Sequence, residues 1–214
     1  MSKIKAILFD LDGTLRDSRE PIFLAIEHAL KTHVGSTPSR QELLPHIHHH
    51  EEVQKVFAAN TDPAKFLKSY WEKVEELRNT MVPYEGAHDL LSVLHKAGYR
   101  LGIVSTASTA VQYLESHGVS KLFDVIVGGK DTVEHKPSPV PVFRALELLN
   151  LDAKDAIMIG DLPADIASAT SAGLRATVGI THGFGTATML KDAGADYTID
   201  SYDQLVKILK EFEK

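Results

Sequence analysis

The chain has 214 residues and a formal net charge of −6, with 43% hydrophobic and 24% charged residues, a composition that can bury an ordinary globular core. No stretch approaches the roughly 18 apolar residues of a membrane span, and the acidic balance disfavours nucleic acid, whose phosphate backbone requires a basic surface. There are no cysteines, which excludes disulfides, thiolate metal sites and cysteine nucleophiles.

The chain opens with two lysines and an apolar run that stops at Asp10. That run is too short for the apolar region of a signal peptide, so a cytoplasmic protein without membrane association is expected. Residues 4–11 read as the first strand. Residues 17–83 carry no strand pattern, but Ile22, Ile26, Ala29 and Leu30 recur at helical spacing, as do Phe66, Tyr70, Val74 and Leu77. Ser39 with Glu42 forms a candidate capping box, and Asp62-Pro63 reads as an N-cap followed by the first helical residue. This stretch is therefore expected to be a helical insert. Its one biased segment is His46-Ile47-His48-His49-His50, read either as a polar turn or as a transition-metal site through His46, His48 and His50.

Beyond the insert, strands are predicted at 101–105, 125–127, 156–160, 176–180 and 197–199. Several are continuously apolar, as suits strands covered on both faces of a parallel sheet. Helical patterns over 87–97, 111–117, 142–149 and 164–172 alternate with them, three of these ending at a glycine. The expected fold is a doubly wound α/β sheet, with residues 1–16 and 84–214 forming the α/β unit and 17–83 the helical one.

Polar residues gather where predicted strands end: Asp10-Leu11-Asp12-Gly13-Thr14, Ser105-Thr106, and Gly160-Asp161 with Asp165. Lys136-Pro137 lies in the segment after the third strand. In a doubly wound sheet those carboxyl ends share one rim, where ligands bind. Singly, each residue has an ordinary use. Asp161 could cap the helix near Pro163, Asp165 could complement its dipole, and Ser105, Thr106 or Ser108 could cap another helix. Asp10 is different, because it ends a buried aliphatic run where an unpaired carboxylate is costly. With Asp12 two residues on and Asp161 arriving from another strand, only a cation makes the crowding tolerable, and an all-oxygen ligand set suits magnesium.

The motifs Asp10-Leu11-Asp12-Gly13-Thr14-Leu15, Ser105, Lys136-Pro137-Ser138-Pro139 and Gly160-Asp161-Leu162-Pro163-Ala164-Asp165 resemble, in order, the four signatures of the haloacid dehalogenase superfamily. Tyr84-x-Gly86, Gly179-Ile180-Thr181-His182-Gly183 and Ala193-Gly194-Ala195-Asp196 point toward its phosphoglycolate phosphatase-like branch, and the insert resembles that superfamily's helical cap. The resemblance implies a magnesium-dependent phosphatase acting on a small phosphate ester. Asp10 would attack phosphorus and form an aspartyl-phosphate, while Asp12 would protonate the leaving alcohol and then activate water. Asp10, the Asp12 carbonyl and Asp161 would hold magnesium. Ser105 and nearby amides would bind phosphate oxygens, extending the expected substrate-binding set to Gly13, Thr14, Arg16, Thr106 and Ala107. Lys136 would neutralise the phosphate and the nucleophile, held in turn by Asp165.

Three positions depart from the pattern: Arg16 stands where an aliphatic residue is usual, Thr106 where asparagine is common, and Glu85 where proline is common. Arg16 and the histidine loop are therefore candidates for reading the leaving group. Dehalogenases and phosphonatases of the superfamily lack an acid matching Asp12, which favours phosphate esters. A phosphomutase or a pyrophosphatase on the same core remains an alternative, and a phosphoaspartate receiver domain a distant one.

Overall fold

The computed structural model describes residues 3–47 and 50–212. The chain divides into two compact units, residues 1–16 with 83–214 and residues 17–82. It crosses between them at two-residue strands, too short to show any alternation in sequence. In chain order the strands are β1 (Ala6–Phe9), β2 (Arg16–Asp17), β3 (Val82–Pro83), β4 (Arg100–Val104), β5 (Val125–Val127), β6 (Ala156–Gly160), β7 (Ala176–Ile180) and β8 (Tyr197–Ile199).

In the larger unit six strands form a parallel sheet in the order β5-β4-β1-β6-β7-β8. Alternate side chains of each strand serve opposite faces. Ile7, Phe9, Leu101, Ile103, Ile157, Ile159, Val178 and Ile180 pack in one cluster with Leu90, Leu94, Leu114, Leu205 and Leu209. Ala6, Leu8, Val104, Val127 and Met158 pack in the other with Val142, Leu146 and Ala169. The first cluster draws on helices α5 (Ala87–Lys96), α6 (Ala110–Ser116) and α10 (Tyr202–Glu211); the second draws on α7 (Val140–Leu149) and α8 (Pro163–Ser171). A sheet covered on both faces explains the continuously apolar strands. A further short helix, α9 (Ala187–Asp192), precedes β8.

The doubly wound sheet agrees with the sequence reading; the short strands β2 and β3 and the helices α9 and α10 are additional to it, and the other elements of the larger unit move only at their ends. The first strand is shorter than 4–11 because the chain leaves the sheet after Asp10, whose N–H still donates to the Ile159 carbonyl at 2.9 Å. The amides of Thr14, Leu15 and Arg16 then converge on the Leu11 carbonyl and fold residues 11–16 into a tight turn. The sequence reading omitted α9 and α10. Leu205, Ile208 and Leu209 are buried at helical spacing, a signal that was there for α10.

The smaller unit is helical: α1 (Arg19–Val34), α2 (Arg40–Leu43), α3 (His50–Phe57) and α4 (Pro63–Leu77). Ser39 and Glu42 form the reciprocal capping box, and Asp62 accepts from the amides of Ala64 and Lys65 ahead of Pro63. Ile26, Ala29 and Leu30 of α1 and Phe66 and Tyr70 of α4 are buried as their spacing predicts, with Phe23 and Ala25 added. Arg40 pairs with both Glu20 and Glu27 and lies over the Phe23 ring, tying α2 to α1. His46 Nδ1 lies 2.8 Å from Glu52, and the His50 ring stacks on Tyr70 at 5.2 Å. His48 and His49 lie outside the described residues. Among the described residues the histidines form no metal-binding group. No helix there is long and apolar enough to cross a membrane.

Candidate active site

The sheet register builds the site. Phe9 lies beside Ile103 and Ile159, so Asp10, one residue on, is level with Val104 and Gly160. Ser105 and Asp161 follow one residue further along the neighbouring strands. The loop between β5 and α7 then brings Lys136 to the same rim. Its ammonium lies 2.6 Å from Asp10 Oδ1 and 2.5 Å from Asp165 Oδ1, with all three side chains buried.

Asp165 does two jobs. Its Oδ2 accepts from the Leu162 amide at 2.9 Å, capping α8, while Oδ1 holds Lys136. The ordinary reading of this residue was therefore half of its role. For Asp161 the ordinary reading fails: its carboxylate is not a helix cap. It is fully buried, and accepts from the Phe184 amide at 2.7 Å and the Thr14 hydroxyl at 3.1 Å.

Electrostatics mark the centre of the site. Burial pushes the Asp10 carboxyl up to about 7, opposed by Lys136 and reinforced by Asp165 and Asp12. Burial, then Asp10 and Asp165, push Asp161 well above the usual carboxylate range. Lys136 shows the opposite balance. Burial disfavours its ammonium, yet Asp10 and Asp165 outweigh that and hold it above the ordinary lysine value. Oxygens of Asp10, Asp161 and Asp165 lie within 4.8 Å of one another. Such a cluster, all oxygen and short of positive charge, fits a hard divalent cation.

Asp12 is placed differently from the acidic cluster. Arg16 Nε donates to its Oδ1 at 2.8 Å and Nη2 to its Oδ2 at 2.6 Å, so a guanidinium fork spans the carboxylate. The Asp12 backbone carbonyl accepts no hydrogen bond among the described residues, which leaves it available to a metal. Arg16 is 4% exposed and lies over the Tyr113 ring at 4.5 Å.

Gly13 makes this packing possible. Its φ is +80°, and a Cβ there would sit 2.2 Å from Asp161 Oδ2. Gly183 approaches the same oxygen equally closely. Gly13→Ala should therefore strain the turn by roughly 1–2 kcal/mol and displace Asp161 as well. Expected are a lowered Tm and at least tenfold weaker binding of divalent cations by calorimetry. Wild-type values of both would refute the cradle.

Ser105 is buried and its Oγ accepts from the Ala107 amide at 3.0 Å, a local turn rather than a helix cap. Thr106 is exposed and Ala107 half-buried. None of Ser105, Thr106 and Ser108 caps α6, whose N-cap is Thr109. Several neighbours escaped the sequence reading. The Tyr202 hydroxyl donates to the Thr14 carbonyl at 2.6 Å, His182 Nε2 lies 3.1 Å from the same oxygen, and the Phe184 amide holds Asp161. The motif around His182-Gly183 was visible, but nothing local tied it or Tyr202 to this turn.

A doubly wound sheet with an acidic cluster and a buried lysine at its carboxyl rim places this protein among the α/β enzymes whose site lies at the ends of the strands. Residues 7–178 match the haloacid dehalogenase-like hydrolase family, and the chain belongs to that family. It is similar to pyrophosphatase PpaX of Bacillus velezensis, with 34% identity over 96% of each chain. Its fold matches that of a predicted phosphatase from Clostridium acetobutylicum, with TM-score 0.84 and 30% identity over 98% of this chain and 100% of that one. It also matches a predicted phosphoglycolate phosphatase from Haemophilus somnus, with TM-score 0.82 and 27% identity over 97% and 99%. The chain is thus a hydrolase of the haloacid dehalogenase-like family.

Proposed function

We propose that this chain is a magnesium-dependent phosphatase that hydrolyses a small soluble phosphate monoester through an aspartyl-phosphate on Asp10. The observation that carries this reading is the state of Asp10. One oxygen is engaged by Lys136, and the other accepts no hydrogen bond among the described residues. A carboxylate held by one oxygen and open at the other is arranged to attack.

In the first step an Asp10 oxygen bonds to phosphorus, and the bond from phosphorus to the leaving oxygen breaks. Asp12 supplies the proton that the leaving oxygen takes up. In the second step water attacks the phosphorus, gives its proton to Asp12, and the bond from phosphorus to Asp10 breaks. To exchange a proton, Asp12 releases at least one of its two bonds to Arg16. Lys136 balances charge on Asp10 and on the incoming phosphate throughout, kept in place by Asp165. The Ser105 hydroxyl and the Thr106 amide take the phosphate oxygens, and the amides of Gly13, Thr14 and Ala107, which donate to Arg16, Leu11 and Ser105, join them only by exchanging those bonds. Magnesium, held by Asp10, Asp161 and the Asp12 carbonyl, would supply the remaining positive charge when bound.

On this reading residues 1–16 and 84–214 are the catalytic core and 17–83 a cap, and the protein works in the cytoplasm on small soluble metabolites. The names of its curated relatives favour a second substrate, pyrophosphate, for the same chemistry. The deciding experiment is a panel of phosphoglycolate, sugar phosphates, nucleotides and pyrophosphate, assayed with magnesium and with EDTA. Phosphate release in magnesium that EDTA abolishes is expected. Rates indifferent to EDTA would exclude the metal, and interconversion of sugar phosphates without phosphate release would indicate a mutase.

A further inference from the structure

Arg16 has more hydrogen-bonding capacity than its partner uses. A guanidinium carries five N–H donors. Two serve Asp12 through Nε and Nη2, and among the described residues Nη1 donates to nothing. The side chain is buried and held flat by the Tyr113 ring. The Tyr113 hydroxyl is itself buried and has no hydrogen-bond partner among the described residues. Two adjacent groups with unused polar capacity in a buried position are costly unless a ligand completes them.

Stability gives no reason for this arrangement. A buried ion pair is commonly no better than apolar side chains of the same volume, so an aliphatic residue would serve the packing as well. Charge gives a reason. The site gathers the carboxylates of Asp10, Asp12, Asp161 and Asp165, and Lys136 is already shared between two of them. A substrate with a second negative group finds its other cation at Arg16, beside the residue that serves the leaving group.

We propose that Arg16, seated on Tyr113, is a specificity residue whose unused N–H donors hold an anionic group on the departing half of the substrate. This rests on the reading that Asp10 attacks and Asp12 faces the leaving group. The preferred substrates then carry a phosphate or carboxylate next to the scissile bond. The planar fork suits either group, and a lysine could not hold Asp12 and such an anion in the same geometry.

The test compares kcat/KM for pyrophosphate and phosphoglycolate with that for ethyl phosphate and 2-hydroxyethyl phosphate, whose leaving groups are neutral. Wild type, Arg16→Leu, Arg16→Lys and Tyr113→Phe are assayed with magnesium after circular dichroism confirms folding. Every substrate should lose rate in the Arg16 variants, because Asp12 loses its partner. The ratio of anionic to neutral substrates should fall about 10- to 100-fold in Arg16→Leu, the scale of one charge-assisted bond. Arg16→Lys, which keeps the charge but not the fork, should fall in between, and it decides the matter if Arg16→Leu does not fold. Loss confined to pyrophosphate would assign the subsite to phosphate, and loss confined to phosphoglycolate to carboxylate. Calorimetric binding of methylenediphosphonate against methylphosphonate, in magnesium-loaded wild type and Arg16→Lys, repeats the comparison without turnover. It therefore separates failure of this proposal from failure of the hydrolytic reading. Ratios unchanged in both assays would mean that Arg16 acts only through Asp12, and a wild type without preference for the second anion would overturn the proposal outright.

Discussion

Asp10→Asn is expected to abolish turnover of p-nitrophenyl phosphate, by about 10³-fold or more, while leaving the protein folded. The asparagine side chain has nearly the same shape and keeps a carbonyl oxygen for Lys136, 2.6 Å away in the wild type. It lacks the anionic oxygen that attacks phosphorus, and a neutral amide is a far weaker nucleophile. A 10³-fold loss corresponds to about 4 kcal/mol of transition-state stabilisation. Stability should move the other way or not at all. Burial pushes the Asp10 carboxyl up to about 7, so the folded protein tolerates that charge poorly, and the substitution removes it. Lys136 retains Asp165 at 2.5 Å. Initial rates and thermal unfolding of the same preparation decide the matter. Residual activity above about one hundredth of wild type would remove Asp10 from the role of nucleophile.

Legibility in the sequence followed the range of the interaction. The four strands at 125–127, 156–160, 176–180 and 197–199 coincide with those of the structure, because a buried parallel strand declares itself as a short apolar run between turn residues. The capping box at Ser39 and the N-cap at Asp62 are equally local and equally visible. Asp10, Ser105 and Asp161 could be placed on one rim without knowing the strand order, since every parallel strand ends there. Lys136 and Asp165 joined them through the motifs that carry them.

The contacts that escaped notice depend on sheet order or on a turn's internal geometry. Tyr202 reaches the Thr14 carbonyl from 188 residues away, and the Phe184 amide reaches Asp161 from 23 residues away across the sheet. Arg16 and Asp12 are four apart, but in a tight turn, where that spacing implies nothing about facing side chains. Arg16 stood out only as a departure from a pattern. What it holds became visible once residues 11–16 were seen to curl around the Leu11 carbonyl.

Lys136→Met should destabilise the protein severely, and the pH dependence of that loss identifies its cause. Lys136 is buried between Asp10 and Asp165, and methionine fills a similar volume without charge. Removing one partner of a buried ion pair typically costs about 3–5 kcal/mol, because the remaining charges stay desolvated. For a chain of this size that corresponds to a fall in Tm of roughly 10–15 °C near neutral pH. In wild type Lys136 pulls the Asp10 carboxyl down against burial, so its loss raises that carboxyl further. The folded variant then keeps a proton that the unfolded chain releases near the ordinary aspartate value of about 4. Where the folded state binds more protons, stability falls as pH rises. Wild-type Asp10 holds the same proton up to about pH 7, so the deficit should be small well below pH 7 and grow from about pH 7 upward, measured in EDTA so that no cation replaces the lysine. Asp165→Asn added to Lys136→Met removes the second stranded charge and should recover about half of the lost stability or more, a coupling read from the double-mutant cycle. Activity should stay low in both variants, since neither restores positive charge beside Asp10. A pH-independent deficit, or a double variant no more stable than Lys136→Met alone, would show that Lys136 supports the fold by packing and not by balancing the two carboxylates.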